Sequence, residues 1–171
     1  MTQEEVRALL VKTGAIMDGH FLLTSGLHSP HYVEKFKDAQ IETVVGPMTG
    51  GILLAHETGK SLGTRAIFTE RVDGKMTFRR GFSLRAGERV LIVEDIVTTG
   101  GSIKEVIEVV KAAGAVPVAV SMLVDRSGGK ADFGDVPSTA LLTMDVETYS
   151  PDTCPLCAKG VPMTKRGRTG K

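Results

Sequence analysis

The sequence contains no tryptophan, only two cysteines and 5% aromatic residues. Two cysteines are too few for the disulfide framework of a small secreted domain. No apolar run approaches the roughly 20 residues of a membrane-spanning helix. Residues 1–5 include Glu4 and Glu5 and lack a signal-peptide pattern. The net charge of +1 lacks the basic excess that is typical of nucleic-acid binding. We therefore expect a cytoplasmic protein with no membrane or nucleic-acid partner.

The chain has the length and composition of one globular domain. Its 171 residues are 42% hydrophobic and 24% charged, which are ordinary values for a domain with a sizeable core. We expect a single domain over residues 1–171 that ends in a basic tail, at about residues 164–171.

The most informative stretch is residues 90–102, with the sequence VLIVEDIVTTGGS. Its first four residues are apolar without alternation, which predicts a strand that is buried on both faces. Glu94 and Asp95 then lie at the carboxyl end of this strand, where open α/β sheets bind ligands. The turn at residues 98–102 combines glycines with hydroxyl side chains and precedes a helix, so it can bind a phosphate group.

This candidate phosphate site belongs to neither of the two common nucleotide-binding types. No Gly-Lys-Ser/Thr sequence follows the turn, and the stretch has no G-x-G-x-x-G motif. One phosphate site beside two carboxylates suits a sugar phosphate, because the acids can bind ribose hydroxyls or Mg²⁺. The less specific alternative is a buried strand, a helix start and two solvated acids.

Residues 90–100 resemble the phosphoribosyl-diphosphate (PRPP) signature of type I phosphoribosyltransferases. The FLLTSGLHSP stretch at residues 21–30 and the Asp125-Arg126 pair resemble the orotate phosphoribosyltransferases in particular. The resemblance implies an α/β fold, with a mainly parallel sheet flanked by helices and a small N-terminal hood from about residues 1–36. It also implies a homodimer that transfers phosphoribosyl from PRPP to orotate in pyrimidine nucleotide biosynthesis, with Mg²⁺ bound mainly through PRPP and no direct protein ligand.

The same resemblance implies the residues of the site. The expected PRPP-binding residues are Glu94, Asp95, Ile96, Val97, Thr98, Thr99, Gly100, Gly101, Ser102, Gly50 and Gly51. The expected orotate-binding residues are Thr98, Arg126, Tyr32 and Val33. The residues alone leave a simpler interpretation open, in which Arg126 pairs with Asp125 and the Tyr-Val pair is strand core.

A basic hairpin is predicted over residues 70–82. Asp73-Gly74 is a strong signal for a type I′ turn between two exposed strands. In the family that the sequence resembles, basic residues of this segment close over the diphosphate of PRPP, often in the neighbouring subunit's site. We therefore expect Lys75 or Arg71 to neutralise the departing diphosphate and group them with Asp95 as catalytic residues. The simpler alternative is a solvated hairpin that protects a sheet edge.

The remaining patterns predict further helices and strands. Helices are expected over residues 4–13, 52–62 and 103–111, with core contacts from Ile52, Leu53, Ala55, Leu62, Ile103, Val106, Ile107 and Val110. Strands are expected on both sides of a Ser25-Gly26 turn and at residues 31–36, 41–46, 65–69 and 118–124. Residues 37–40 are too short for a parallel crossover, which needs a dozen or more residues. Either this chain has lost the helical segment that the family has here, or part of it is missing from the sequence.

Two alternative functions stay open. A purine phosphoribosyltransferase has a similar signature, but with an aspartate where this chain has Thr98. A PRPP-sensing regulator without catalytic activity is the other alternative, and it would need a DNA-binding segment that the near-zero net charge does not suggest. The single C-x-x-C motif, Cys154 to Cys157, has no second pair with which to form a four-ligand zinc site.

Overall fold

The computed structural model describes residue 8 and residues 17–22, 28–32, 39–146 and 149–163. The strands are β1 (Met17–Leu22), β2 (His28–Tyr32), β3 (Thr43–Pro47), β4 (Arg65–Val72), β5 (Lys75–Phe78), β6 (Arg89–Val97), β7 (Val116–Asp125) and β8 (Ser138–Thr143). The helices are α1 (Gly50–Leu62), α2 (Gly101–Ala112) and α3 (Pro155–Ala158), and a short 3₁₀ turn spans Pro151–Thr153.

Six strands form the main sheet in the order β5-β4-β3-β6-β7-β8. All neighbours are parallel except β4 and β5, which are antiparallel. The predicted α/β fold is thereby confirmed. Because β3 and β6 are neighbours although α1, β4 and β5 lie between them in the chain, their carboxyl ends and the turns that follow meet at one edge of the sheet.

The basic hairpin forms as its sequence predicts. Val72 pairs with Lys75 across a two-residue turn, and both turn residues have positive φ, 49° at Asp73 and 79° at Gly74. Two positive φ angles define the type I′ turn, whose twist matches that of the flanking strands. The hairpin therefore extends β4 beyond the carboxyl edge of its parallel neighbours.

One face of the sheet packs against α2. The predicted buried face of this helix is confirmed, and it consists of Ile103, Val106, Ile107 and Val110. These side chains pack with Val45, Ile92 and Val120 from three different strands. Burying each such side chain contributes roughly 1.5–3 kcal/mol, so this face holds the sheet and the start of α2 in a fixed relation.

The opposite face is covered by α1 and is less completely buried. The buried residues of α1 are Gly51, Ala55 and Gly59, spaced four apart and small, so the helix lies close to the sheet. The core contact expected for Leu53 is wrong, because that side chain is 75% exposed. On β7, alternation places Leu123 on the same face as the buried Ala119, yet Leu123 is 39% exposed. This incomplete cover agrees with the short link at residues 37–40.

The N-terminal strands form a sheet of their own. β1 and β2 pair antiparallel, as expected for strands on both sides of the Ser25-Gly26 turn. The strand expected to begin at His31 begins at His28 instead, so His31 and Tyr32 belong to β2. Because β2 is not a parallel neighbour of β3 in the main sheet, the link between them need not form a crossover.

Several predictions fall outside the described residues. They concern the helix at residues 4–13 apart from residue 8, the turn at residues 23–27, Val33 and the tail at residues 164–171. Within the described ranges, no helix is long and apolar enough to cross a membrane.

Candidate active site

The candidate phosphate site forms at the start of α2, directly after β6. A cavity of about 160 Å³ is lined by Glu94, Ile96, Val97, Thr98, Thr99, Gly100, Gly101, Ser102 and Ile103. Gly100 precedes the helix with a φ of 79°, and a Cβ at this position would lie 2.9 Å from the Phe133 ring. Both the positive φ and the close ring therefore require glycine there.

The donors around this cavity are not used elsewhere in the described structure. No described residue hydrogen-bonds with the hydroxyl groups of Thr98, Thr99 or Ser102. The first N–H groups of a helix have no partner within the helix, and the helix dipole favours an anion beside them. The start of α2 can therefore bind a phosphate through hydroxyl and backbone donors together.

The two acids after the strand point to different neighbours. Glu94 lines the phosphate cavity and is only 8% exposed. Asp95 lies against the N-terminus of α1. Its carboxylate accepts a hydrogen bond of 2.7 Å from the backbone N–H of the next residue, Ile96. The pair thus spans the space between the two glycine turns that were expected to bind PRPP.

Burial gives Glu94 an unusual proton affinity. Removal from water, followed by its hydrogen bond with the Asp95 side chain and the Asp95 charge, raises the pKa of Glu94 from 4.5 to about 8. Only the hydrogen bond from the Asp95 backbone N–H opposes this shift. The Glu94 carboxyl therefore carries a proton at neutral pH and can donate a hydrogen bond, whereas an ionised carboxylate can only accept one.

Gly50 makes the approach of Asp95 possible. A Cβ at position 50 would overlap the Asp95 carboxylate and lie 2.5 Å from its Cγ atom. Gly50 begins α1, and its neighbour Gly51 lies close to the end of β3, at Pro47 and Gly46. The structure thus brings Gly50, Gly51 and Asp95 together at the carboxyl edge.

A second, larger cavity adjoins the phosphate cavity. Its volume is about 550 Å³, and it shares Thr98 and Thr99 with the smaller one. The other lining residues are Arg126, Ser127, Lys130, Ala131, Asp145, Val146 and Tyr149. Arg126 forms no ion pair with any described residue, so its guanidinium is available to an anionic ligand.

The alternative pairing of Arg126 with Asp125 does not occur. The Asp125 carboxylate accepts hydrogen bonds from the backbone N–H groups of Ser127 (2.7 Å) and Gly129 (2.9 Å). Burial of Asp125 opposes its ionisation, but the hydrogen bonds from Ser127 and Gly129 outweigh burial and lower its pKa. Asp125 therefore orders the turn after β7 and leaves the neighbouring Arg126 at the cavity.

The second cavity contains residues that sequence reasoning missed. For Lys130 a signal existed, because it is a basic residue beside the Ser127-Gly128-Gly129 turn. Asp145, Val146 and Tyr149 follow β8 without any motif, so only the tertiary fold brings them to Arg126. Of the two hood residues expected at orotate, Tyr32 lies in β2 without a described side chain, and Val33 is outside the described residues.

The basic hairpin contains both engaged and free cations. Arg71 donates hydrogen bonds to Glu105 of α2 (2.7 Å) and to the Gly74 carbonyl (2.9 Å). Arg80 pairs with Glu70 at 3.2 Å. Lys75 is exposed and forms no ion pair with any described residue, so it is the freer of the two residues expected at the diphosphate.

The two cavities lie together at the carboxyl edge of the sheet in a phosphoribosyltransferase domain. The family model described as "Phosphoribosyl transferase domain" matches residues 31–139. The solved adenine phosphoribosyltransferase from Rhodothermus marinus matches with a TM-score of 0.55 and 20% identity, over 83% of this chain and 78% of that one. At that identity the likeness concerns the fold alone.

Curated relatives show which family of phosphoribosyltransferases the chain resembles. The chain is 51% identical to the orotate phosphoribosyltransferase of Desulforamulus reducens, covering 98% of this chain and 97% of the relative. It is 45% identical to the orotate phosphoribosyltransferase of Thermotoga maritima, covering 96% of this chain and 98% of the relative. The chain belongs to the orotate phosphoribosyltransferase family.

The alignment to the Desulforamulus relative also bears on the short link. It runs over 187 positions, whereas this chain has 171 residues. At least 16 aligned positions, the difference between these lengths, therefore have no residue in this chain. This total agrees with the expectation that the chain lacks a segment present in its relatives, and the place of the segment at residues 37–40 stays a prediction.

Proposed function

We propose that this chain transfers the phosphoribosyl group of PRPP to orotate, giving orotidine 5′-monophosphate and diphosphate. The observation that carries the proposal is the junction of the two cavities at Thr98 and Thr99. A phosphate bound at the start of α2 and an anionic base bound at Arg126 would lie on opposite sides of this junction. A ribose joins such a phosphate to such a base in the product.

In this proposal the smaller cavity binds the 5′-phosphate. The hydroxyls of Thr98, Thr99 and Ser102 and the first N–H groups of α2 are its donors. Glu94 and Asp95 would bind the ribose hydroxyls, each of which can donate one hydrogen bond and accept others.

The turn at Gly50 and Gly51 is assigned to the diphosphate. Without side chains, these residues let a charged group approach the start of α1 closely. Mg²⁺ would be held here mainly by the phosphates of PRPP, without a direct protein ligand. When bound, Mg²⁺ would offset the negative charge of the diphosphate.

Arg126 is assigned to the carboxylate of orotate. A guanidinium presents its donors in a fixed fork that matches a carboxylate. Thr98, at the junction of the cavities, would bind the base from the ribose side. Thr98 stands where purine enzymes of similar signature have an aspartate, and an already anionic base such as orotate does not need an acid there.

The chemical step needs no covalent nucleophile. Breaking the bond at the anomeric carbon builds positive charge on the ribose, while negative charge develops on the departing diphosphate. We assign Lys75 to that negative charge, with Arg71 as the second candidate. Arg71 would first have to break its ion pair with Glu105.

We further propose that the enzyme is a cytoplasmic homodimer. Light scattering of the purified chain measures its mass in solution and so tests the dimer.

A competition assay tests the proposed function. The full chain is given PRPP, Mg²⁺ and an equal mixture of orotate, hypoxanthine and adenine, and the nucleotide products are separated by chromatography. We expect orotidine 5′-monophosphate as the dominant product. Formation of purine nucleotides instead would contradict the assignment of Arg126 and Thr98, and an absence of any nucleotide would contradict the transferase itself.

A further inference from the structure

The chain's only two cysteines lie outside the proposed active site. Cys154 and Cys157 form a C-x-x-C motif, and neither lines the two cavities described above. Cys154 is half-buried and Cys157 is exposed, and both are free thiols. The transferase reaction gives these residues no role, although both can be reached by a small reagent.

The local fold makes the two thiols neighbours. Cys154 directly precedes α3 (Pro155–Ala158), and the Ala158 N–H donates to the Cys154 carbonyl at 3.1 Å, which closes the turn. Residues three apart on a helical turn lie next to each other, and a disulfide needs Cα atoms about 4.4–6.8 Å apart. Cys154 is the residue before this turn and Cys157 lies within it, so the two side chains are within reach of one another.

The two thiols also differ in acidity. The hydrogen bond from the Cys157 backbone N–H, together with the Cys157 thiol, lowers the pKa of Cys154. The hydrogen bond with Cys154 and the charge of its thiolate raise the pKa of Cys157. Cys154 is therefore the more readily ionised sulfur and the better first nucleophile, while Cys157 is placed to react second.

We propose that Cys154 and Cys157 form a reversible dithiol–disulfide site that exchanges with a small disulfide of the glutathione type. The Cys154 thiolate attacks one sulfur of the reagent, forms a mixed disulfide and releases one thiolate. The Cys157 thiolate then attacks the Cys154 sulfur, closes the internal disulfide and releases the second thiolate. Two protein thiols are oxidised, one small disulfide is reduced, and the two protons end on the released thiols.

Thiol counting on the full chain tests this proposal independently of the transferase activity. The reduced protein is incubated with glutathione disulfide, and its free thiols and intact mass are measured. Since the chain has only two cysteines, we expect the thiol count to fall from two to zero. We also expect a mass loss of two hydrogen atoms, no glutathione adduct and full recovery with dithiothreitol.

The Cys157→Ser variant separates the two steps. Without the second thiol, Cys154 should keep one glutathione adduct that the wild type loses, and a circular dichroism spectrum like that of the wild type shows that the variant is folded. Two adducts on the wild type, a disulfide between chains, or thiols that stay reduced under these conditions would overturn the proposal. Protection of both thiols by bound Zn²⁺, reversed by a chelator, would overturn it as well.

Discussion

Glutamine at position 94 should remove a pH-dependent loss of stability that we expect of the wild type. Glu94 is buried beside the phosphate cavity, and glutamine has nearly the same shape without a titrating proton. The folded-state pKa of Glu94 is about 8, whereas the ordinary value is 4.5. Between these two values the folded protein keeps a proton on Glu94 that the unfolded chain has released.

The sign and size of the effect follow from this difference. A folded state that binds more protons loses stability as the pH rises, at up to about 1.4 kcal/mol per pH unit for one group. The stabilisation is fully present below about pH 4.5 and is lost as the pH rises to the folded-state pKa of about 8. Between pH 5 and pH 8 the wild type should lose roughly 3–4 kcal/mol relative to Glu94→Gln.

Urea unfolding of both proteins at several pH values between 5 and 9 measures this difference. Titrating groups that do not contact Glu94 affect both proteins equally and cancel in the comparison. We expect the free energies of unfolding to be closest at pH 5, and the variant to be the more stable protein at pH 8. A difference that does not change with pH would show that Glu94 ionises normally and would refute its raised pKa.

Three further substitutions test the assignments within the site. Arg126→Ala should raise the KM for orotate about 10- to 100-fold by removing a charge-assisted contact, without changing the KM for PRPP. The KM of Arg126→Lys for orotate should lie between those of the wild type and Arg126→Ala. Equal effects on both KM values would contradict the assignment of Arg126 to orotate. Gly50→Ala should lower kcat/KM for PRPP at least about 10-fold, because the added Cβ displaces the Asp95 carboxylate. The control is Lys60→Ala, on the exposed side of α1. Unchanged kinetics of Gly50→Ala would show that the approach of Asp95 to Gly50 is unimportant. Lys75→Ala should lower kcat about 100-fold or more by removing a positioned cation, and full kcat in both Lys75→Ala and Arg71→Ala would exclude the hairpin from the chemical step.

The arrangement of residues 90–102 was predictable because it is local. A buried strand, two acids, a glycine turn and a helix start follow one another within residues 90–102, so their neighbourhood is fixed by the chain itself. The hairpin was predictable for the same reason, since Asp73-Gly74 determines its turn. The available guanidinium of Arg126 was not predictable, because it depends on backbone N–H groups that engage Asp125.

Contacts between distant segments explain what the sequence could not show. Gly50 and Asp95 meet only because β3 and β6 are neighbours in the sheet. Tyr149 lies at the Arg126 cavity only because β8 pairs with β7 in the sheet. The error at Leu53 has a simpler origin, because residues 52–55 are all apolar and their pattern does not define which side of the helix is buried.

Orotate absorbance, followed after PRPP and Mg²⁺ are added to orotate and the full chain, measures the proposed transfer. We expect orotate to disappear in the same amount as diphosphate appears, and no loss without PRPP. Constant orotate absorbance with a folded protein would refute the transfer to orotate, and so would the release of diphosphate with adenine or hypoxanthine but not with orotate.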